Sequence, residues 1–264
     1  MGWSIVNEHS IFELFIRHPV SNIQHPFPVV FDLNRMSIHT RKYNEILAQL
    51  DGKATLVAVS KTKPVDDIKV LYDLGQRDFG ENYVQELTDK YKALPKDIRW
   101  HFIGHLQSNK VRYIAPFVHL VHGVDSYSLL KEINKQAARN KRIIDCLLQV
   151  HIAREETKFG LDELELDALI ERITRKEEQE GALSNIHAIG LMGMTTFTDN
   201  KDIVRSEFRN LKSLFDRHLQ PATLNLQFST LSMGMSGDYT IALEEGSNMV
   251  RIGSLIFGER EQNT

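Results

Sequence analysis

Lys61 is the first residue of this sequence with the setting to do chemistry. It follows the apolar run Thr55-Leu56-Val57-Ala58-Val59 and stands within Ala58-Val59-Ser60-Lys61-Thr62-Lys63-Pro64. An amine at the mouth of such a strand is partly desolvated, which disfavours its ammonium form and makes it a nucleophile toward an aldehyde. The plainer account is that a strand has ended and polar residues have begun, and Lys63, beside Pro64, suits that role. A second group lies far along the chain, in Ser232-Met233-Gly234-Met235-Ser236-Gly237 and in Arg251-Ile252-Gly253-Ser254. Such hydroxyl-bearing, glycine-containing turns offer backbone N–H groups and Ser side chains to a phosphate dianion. By themselves they are commonly no more than turns, so their meaning depends on where a fold would put them.

The elements that must position these residues begin after Gly52, where short β-branched apolar runs alternate with amphipathic helical segments. The runs occupy residues 55–59, 78–80, 100–104, 120–124, 146–152, 186–191, 224–228 and 250–253. Between them, Val65, Ile68, Leu71 and Tyr72 form a helical stripe between Pro64 and Gly75, and Leu129, Leu130, Ile133 and Ala137 follow a Ser126 cap. Leu166, Leu169, Ile170 and Ile173 make a third stripe, and Phe208, Leu211, Leu214 and Phe215 a fourth. Strict alternation of strand and helix implies a parallel sheet, and eight such units in roughly 230 residues fit a single (β/α)8 TIM barrel better than an open doubly wound sheet. No Gly-x-Gly-x-x-Gly follows a strand and no Walker loop is present, so the nucleotide-binding open sheets lose their main support. In a barrel, Lys61 would follow strand 1 and the two turns would follow strands 7 and 8, all at the C-terminal face where barrel sites lie. An amine facing a phosphate cup suits a small phosphorylated aldehyde, of which pyridoxal 5'-phosphate is the obvious example.

Residues 1–35 read differently. Pro19, Pro26 and Pro28 crowd together among aromatics that follow no period. From Met36 the pattern changes: Ser37 is a candidate cap for a helix in which Tyr43, Ile46, Leu47 and Leu50 form a stripe ending near Asp51-Gly52. The expectation is an N-terminal extension over 1–35, disordered or a mis-assigned start, with the barrel over 36–264; the alternative is a real segment packed on the surface.

Longer motifs then become telling. Ala58-Val59-Ser60-Lys61-Thr62-Lys63-Pro64, Phe79-Gly80-Glu81-Asn82-Tyr83-Val84-Gln85-Glu86, Trp100-His101-Phe102-Ile103-Gly104 with Leu106-Gln107-Ser108-Asn109-Lys110, Leu231-Ser232-Met233-Gly234-Met235-Ser236, Met249-Val250-Arg251-Ile252-Gly253 and Ile256-Phe257-Gly258 occur in order. Together they resemble the pyridoxal phosphate homeostasis protein family, the YggS/PROSC group. The resemblance implies a barrel of the alanine racemase N-terminal domain type, with pyridoxal phosphate held as a Schiff base on Lys61. It further implies that Asn82 lines the ring, that Ser232, Gly253 and Ser254 hold the phosphate, and that Met233 packs near the ring face. Arg251 would lie near the pyridine nitrogen or the phosphate, and the sequence leaves both open. At the nitrogen, an arginine would keep it unprotonated and weaken the ring as an electron sink. Two positions depart from the family pattern: His105 replaces a common proline, and Ser254 a common threonine.

The implied function is homeostasis of intracellular pyridoxal phosphate without an established turnover reaction, the recipients being apo forms of enzymes that use the cofactor. An amino-acid racemase on the same barrel is the alternative. It needs a second acid–base group, which in the racemases comes from an added C-terminal domain. Only six residues follow Gly258, leaving Tyr239 or Lys158 as substitutes. A phosphosugar isomerase or aldolase barrel is a third class that would use the same phosphate cup. Lys158 also follows a strand end and is a candidate second cofactor contact.

Composition narrows the setting. With 32 Lys+Arg against 35 Asp+Glu the net charge is -3 over 264 residues, which gives no general attraction to nucleic acid or an anionic membrane. Cys146, the one cysteine, excludes an intrachain disulfide and suits a reducing cytoplasm. No run is long enough for a membrane span, Val6 breaks a myristoylation start, and a monomer is expected. His101 and His105, like His119 and His122, are too far apart along an extended strand to share a metal ion, so no metal site is expected. The run 172–180, dense in both charge signs, reads as a solvated helix end.

Overall fold

Short runs of Val, Leu and Ile joined by amphipathic helices bury both faces of every strand only when the sheet is covered outside and filled inside. In a computed structural model, described over residues 38–155, 159–174, 183–219 and 226–259, the sheet closes on itself. Strands β1 Thr55–Val59, β2 Asp78–Glu81, β3 Arg99–Phe102, β4 Leu120–Val124, β5 Ile144–Val150, β6 Ile186–Gly193, β7 Leu226–Ser232 and β8 Met249–Ile252 form a closed barrel in sequence order. All pairs are parallel, and β8 returns to β1 with Val57 opposite Arg251. The described residues fall within the unit Met36–Thr264, which holds the whole barrel.

Helices α2 Val65–Asp73, α3 Val84–Ala93, α4 Val111–Ile114, α5 Tyr127–Arg139, α6 Glu163–Thr174, α7 Lys201–Arg217, α8 Tyr239–Glu244 and α9 Ser254–Phe257 each follow a strand, and α1 Thr40–Leu50 precedes β1. Their expected stripes are buried: Leu166, Leu169, Ile170 and Ile173 on α6, and Phe208, Leu211, Leu214 and Phe215 on α7. The Ser126 hydroxyl accepts from the Leu129 N–H, so α5 begins where the sequence reading puts it. At α1 the boundary differs. Ser37 lies outside the described residues, the N-cap is His39 with no side-chain cap bond, and Leu47 is exposed while Tyr43, Ile46 and Leu50 are buried. Pro64 is the N-cap of α2 rather than its first helical residue.

Two apolar layers result. The larger joins the outer faces of the strands to the helices and includes Trp100, Phe79, Ile68 and Phe208. The smaller, inside the barrel, is Val57, Leu120, Leu147, Met192 and Met249. The interior also carries His101, His122, Ser232 and Arg251, all buried, so the axis of this barrel is partly polar. A register shift between β5 and β6 and between β6 and β7 lets the strands turn around the axis. Gly190 makes the close approach possible, because a Cβ there would stand 1.7 Å from the Thr230 carbonyl oxygen.

Candidate functional site

A cavity of about 440 Å3 opens where the strands end, and Lys61, Asn82, Arg251, Gly253 and Ser254 line it together with Ser236. Five residues singled out from the sequence therefore meet across β1, β2 and β8. Ser232 and Met233 do not line it.

The turn bearing Lys61 is fixed from below by charge. Ser60, fully buried, donates its hydroxyl to Glu81 Oε1 at 2.6 Å, and its N–H to the Gly80 carbonyl at 3.0 Å. Lys90 on α3 donates from Nζ to the Ser60 carbonyl (2.8 Å), to Glu81 Oε1 (2.8 Å) and to Glu86 Oε1 (2.7 Å). Glu86 Oε1 also accepts the Thr62 N–H at 2.6 Å, which anchors a residue held in the left-handed region at φ 64°. Both residues flanking Lys61 are thus pinned. Burial pushes the Glu81 carboxyl up to about 7 against the opposing pull of Lys90. Its Oε2 is buried with no partner among the described residues, which suits a carboxyl poised between its two forms. Lys63 takes the plainer role: its Nζ donates to the carbonyls of Phe257 at 2.7 Å and Glu259 at 3.2 Å.

Asn82 directly follows β2, and its buried Oδ1 has no partner among the described residues, leaving an acceptor for a ligand donor. Gly104 keeps that backbone close: a Cβ there would meet the Asn82 carbonyl oxygen at 2.4 Å. On the opposite wall Arg251 is buried, and its Nη1 donates to the Ser232 carbonyl (2.8 Å) and hydroxyl (2.6 Å) while Nη2 donates to the Gly193 carbonyl (2.9 Å). All three acceptors are uncharged. Burial lowers the guanidinium to about 10, opposed by Asp238, so a cation stands at the cavity wall at neutral pH.

The end of strand 7 requires a correction. Strand β7 does not stop near residue 228 but continues to Ser232. Its hydroxyl is fully buried inside the barrel against Arg251 and His122 Nδ1, the latter at 3.2 Å, rather than free in a turn. Met233 is likewise fully buried, in the layer between sheet and helices. The turn that reaches the cavity is one step later: Met235, Ser236 and Gly237 line it, and Ser236 Oγ accepts the Gly253 N–H at 3.3 Å. Ser236 and Met235 lay within the quoted motif; counting from the true end of β7 would have found them. Phe197 and Met194, after β6, complete the rim with no prior sequence signal, and Phe197 is 97% exposed.

The remaining candidates separate cleanly. Tyr239 is buried and donates to Gln49 on α1, away from the cavity lining. Lys158 lies outside the described residues, as does most of the charged run 172–180. His105 stacks on Phe159 at 4.3 Å between ring centroids. The strand-spacing argument against metal holds within each strand but not across strands. Asp78, His101 and His119 bring ligand atoms within 4.8 Å of one another at the opposite end of the barrel. There Arg99 already bonds both carboxylate oxygens of Asp78, at 2.7 and 2.5 Å, so the group is a hydrogen-bonded charge pair as it stands. Cys146 is buried on β5, and burial raises its thiol far above the ordinary range.

Comparison with known proteins agrees with the fold. The family described as alanine racemase, N-terminal domain, matches residues 32–261. A pyridoxal phosphate homeostasis protein of Aquifex aeolicus is 40% identical over 230 residues, covering 87% of this chain and 97% of its own. The human protein of the same name is 39% identical over 216 residues, 78% of this chain and 76% of its own. Among solved structures, PipY of Synechococcus elongatus with pyridoxal phosphate bound superposes with a TM-score of 0.73 at 32% identity, covering 83% of this chain and 99% of PipY. No helix among the described residues is long and apolar enough to cross a membrane.

Proposed function

The chain belongs to the alanine racemase N-terminal domain family and, within it, to the pyridoxal phosphate homeostasis proteins, and from that membership we propose that it binds pyridoxal 5'-phosphate in the mouth of its barrel, as a Schiff base on Lys61. One observation carries this reading: a single cavity brings together a lysine amine, a buried cation bonded only to uncharged oxygens, and the hydroxyl-bearing residues Ser236 and Ser254. That donor set fits a phosphorylated aldehyde. Lys61 supplies the amine, and the residues on both sides of it are pinned. Gly253, Ser254 and Ser236 serve the phosphate, while Asn82 offers its unpaired acceptor to the ring edge. Met235, which lines the cavity, takes the place beside the ring given to Met233 from the sequence. Arg251 serves the pyridine nitrogen or the phosphate. At the nitrogen its charge keeps that atom unprotonated and so weakens the electron sink the cofactor would supply.

The function this supports is intracellular pyridoxal phosphate homeostasis by a non-catalytic, monomeric, cytoplasmic carrier whose recipients are apo-enzymes. Tyr239, committed to Gln49, gives racemisation no second acid–base partner at the cavity. The test is direct. The purified protein should absorb in the visible as a cofactor–lysine linkage does, borohydride followed by peptide mapping should mark Lys61, and Lys61→Ala should remove the mark. A label on Lys63 or Lys158 would refute the assignment. With L-alanine, a D-isomer turnover on the order of 1 per second would place the protein among ordinary enzymes and end the carrier reading.

A further inference from the structure

Behind Arg251, away from the cavity, the barrel axis carries an unbroken line of hydrogen bonds. Arg251 Nη1 reaches Ser232 Oγ at 2.6 Å, and Ser232 Oγ lies 3.2 Å from His122 Nδ1. His122 Nε2 is 2.9 Å from His101 Nδ1, and His101 Nε2 is 3.0 Å from Asp78 Oδ1. The line crosses from β8 through β7, β4 and β3 to β2, and every member is buried. At the far end Arg99 grips Asp78 with two N–H groups.

The chemistry of the two ends fixes the outer bonds, and one ordering of the hydrogens between them satisfies every member. A guanidinium only donates, so Ser232 Oγ accepts from Arg251 through one lone pair and can turn its own hydrogen to His122 Nδ1. A carboxylate only accepts, so His101 Nε2 carries a hydrogen toward Asp78. In that ordering His122 carries its hydrogen on Nε2 and gives it to His101 Nδ1. In that ordering both rings carry their hydrogen on Nε2, and no donor meets a donor anywhere along the line. Complete burial also holds the His122 ring well below its ordinary protonation range.

We propose that Ser232, His122, His101 and Asp78 are positioning residues of the cofactor cavity, an axial hydrogen-bond chain that holds the Arg251 guanidinium in the orientation it presents to the ligand. Three of the five guanidinium N–H groups are committed to Ser232 and Gly193, which leaves two to address the cavity. The Ser232 hydroxyl can hold Arg251 in this way only while a lone pair faces the guanidinium, and His122 sets that orientation by accepting the hydroxyl proton. With its hydrogen on Nδ1 instead, His122 would donate to Ser232 Oγ and turn the hydroxyl hydrogen away, so that the oxygen divides its lone pairs between two donors and Arg251 loses its oriented acceptor. The inference rests on the proposed function in one respect, that the cavity Arg251 faces is where pyridoxal phosphate binds.

Two measurements test it. With histidine labelled with 15N, NMR of the full chain without cofactor at pH 7.5 should show His101 and His122 neutral and protonated at Nε2. A proton on Nδ1 of either ring overturns the chain, whatever the protein binds. In the second, His122→Leu should raise the Kd for pyridoxal phosphate about tenfold and shift the absorption maximum of the bound cofactor. His122→Gln, which keeps an acceptor and a donor, should restore both toward wild type. Wild-type affinity and spectrum in His122→Leu would overturn the inference while leaving the proposed function intact. A wild-type chain that takes up no cofactor would refute the proposed function and, with it, the positioning role.

Discussion

Lys90→Met removes the ammonium that ties α3 to the Lys61 turn, and its cost follows from what is left behind. The Lys90 side chain is 6% exposed and that of Glu81 is 0%, so the substitution strands a carboxylate in the protein interior. Breaking a buried pair in this way costs about 3 to 5 kcal/mol, which for a domain of this size lowers Tm by roughly 6 to 20 °C. The loss should depend on pH with a definite sign. Burial already holds Glu81 up to about 7, and Lys90 is the principal group opposing that rise; without it the carboxyl titrates higher still. A group whose folded value is raised contributes stability that is present below its ordinary value near 4.5 and is lost as pH rises through the folded value. The penalty of Lys90→Met should therefore be largest at pH 8 and smaller at pH 5 by about 1.4 kcal/mol, the worth of the one pH unit that separates pH 8 from the wild-type Glu81 value of about 7. Adding Glu81→Leu should recover most of the loss at pH 8, because an apolar pair of similar volume needs no compensation. Thermal melts of wild type and the single and double variants at both pH values decide the matter. An equal loss at pH 5 and pH 8, or no recovery in the double variant, would refute the assignment of Glu81 as the stranded charge.

Other consequences are simpler. Ser236→Ala with Ser254→Ala should raise the pyridoxal phosphate Kd by at least tenfold in a fluorescence titration, since charge-assisted hydrogen bonds are worth about 1.5 to 3 kcal/mol each; unchanged affinity would put the phosphate elsewhere. Gly104→Ala, whose Cβ would stand 2.4 Å from the Asn82 carbonyl oxygen, should cost about 1 to 3 kcal/mol and weaken cofactor uptake, and an unchanged melting curve would contradict it. A chain beginning at Met36 should fold and bind cofactor like the full chain, because all eight strands follow that residue; insoluble expression or much weaker affinity would make residues 1–35 part of the fold.

The sequence is legible here wherever an element's neighbours along the chain decide it, and illegible where neighbours across the barrel do. The α6 and α7 stripes, the Ser126 cap and the alternation that forces a parallel barrel are local, and they reappear nearly residue for residue. Strand β7 is the instructive failure: Gln227 and Ser229 are exposed while Leu226, Phe228, Leu231 and Ser232 are buried. Reading an apolar run stops at Phe228, so Ser232 is placed in the turn after the strand, although it ends β7 and it is Ser236 that lines the cavity. The histidines fail for the complementary reason. Distance along a strand properly separates His101 from His105, yet parallel register sets His101 opposite Leu120, two residues before His122, and no spacing in the sequence reveals that. Closing eight strands turns inward-facing polar residues with no local side-chain partner into partners of one another, since buried polar groups must be satisfied. A barrel with polar residues on its axis is therefore expected to link its two ends through them, and Asp78 at one end and Arg251 at the other are such a pair.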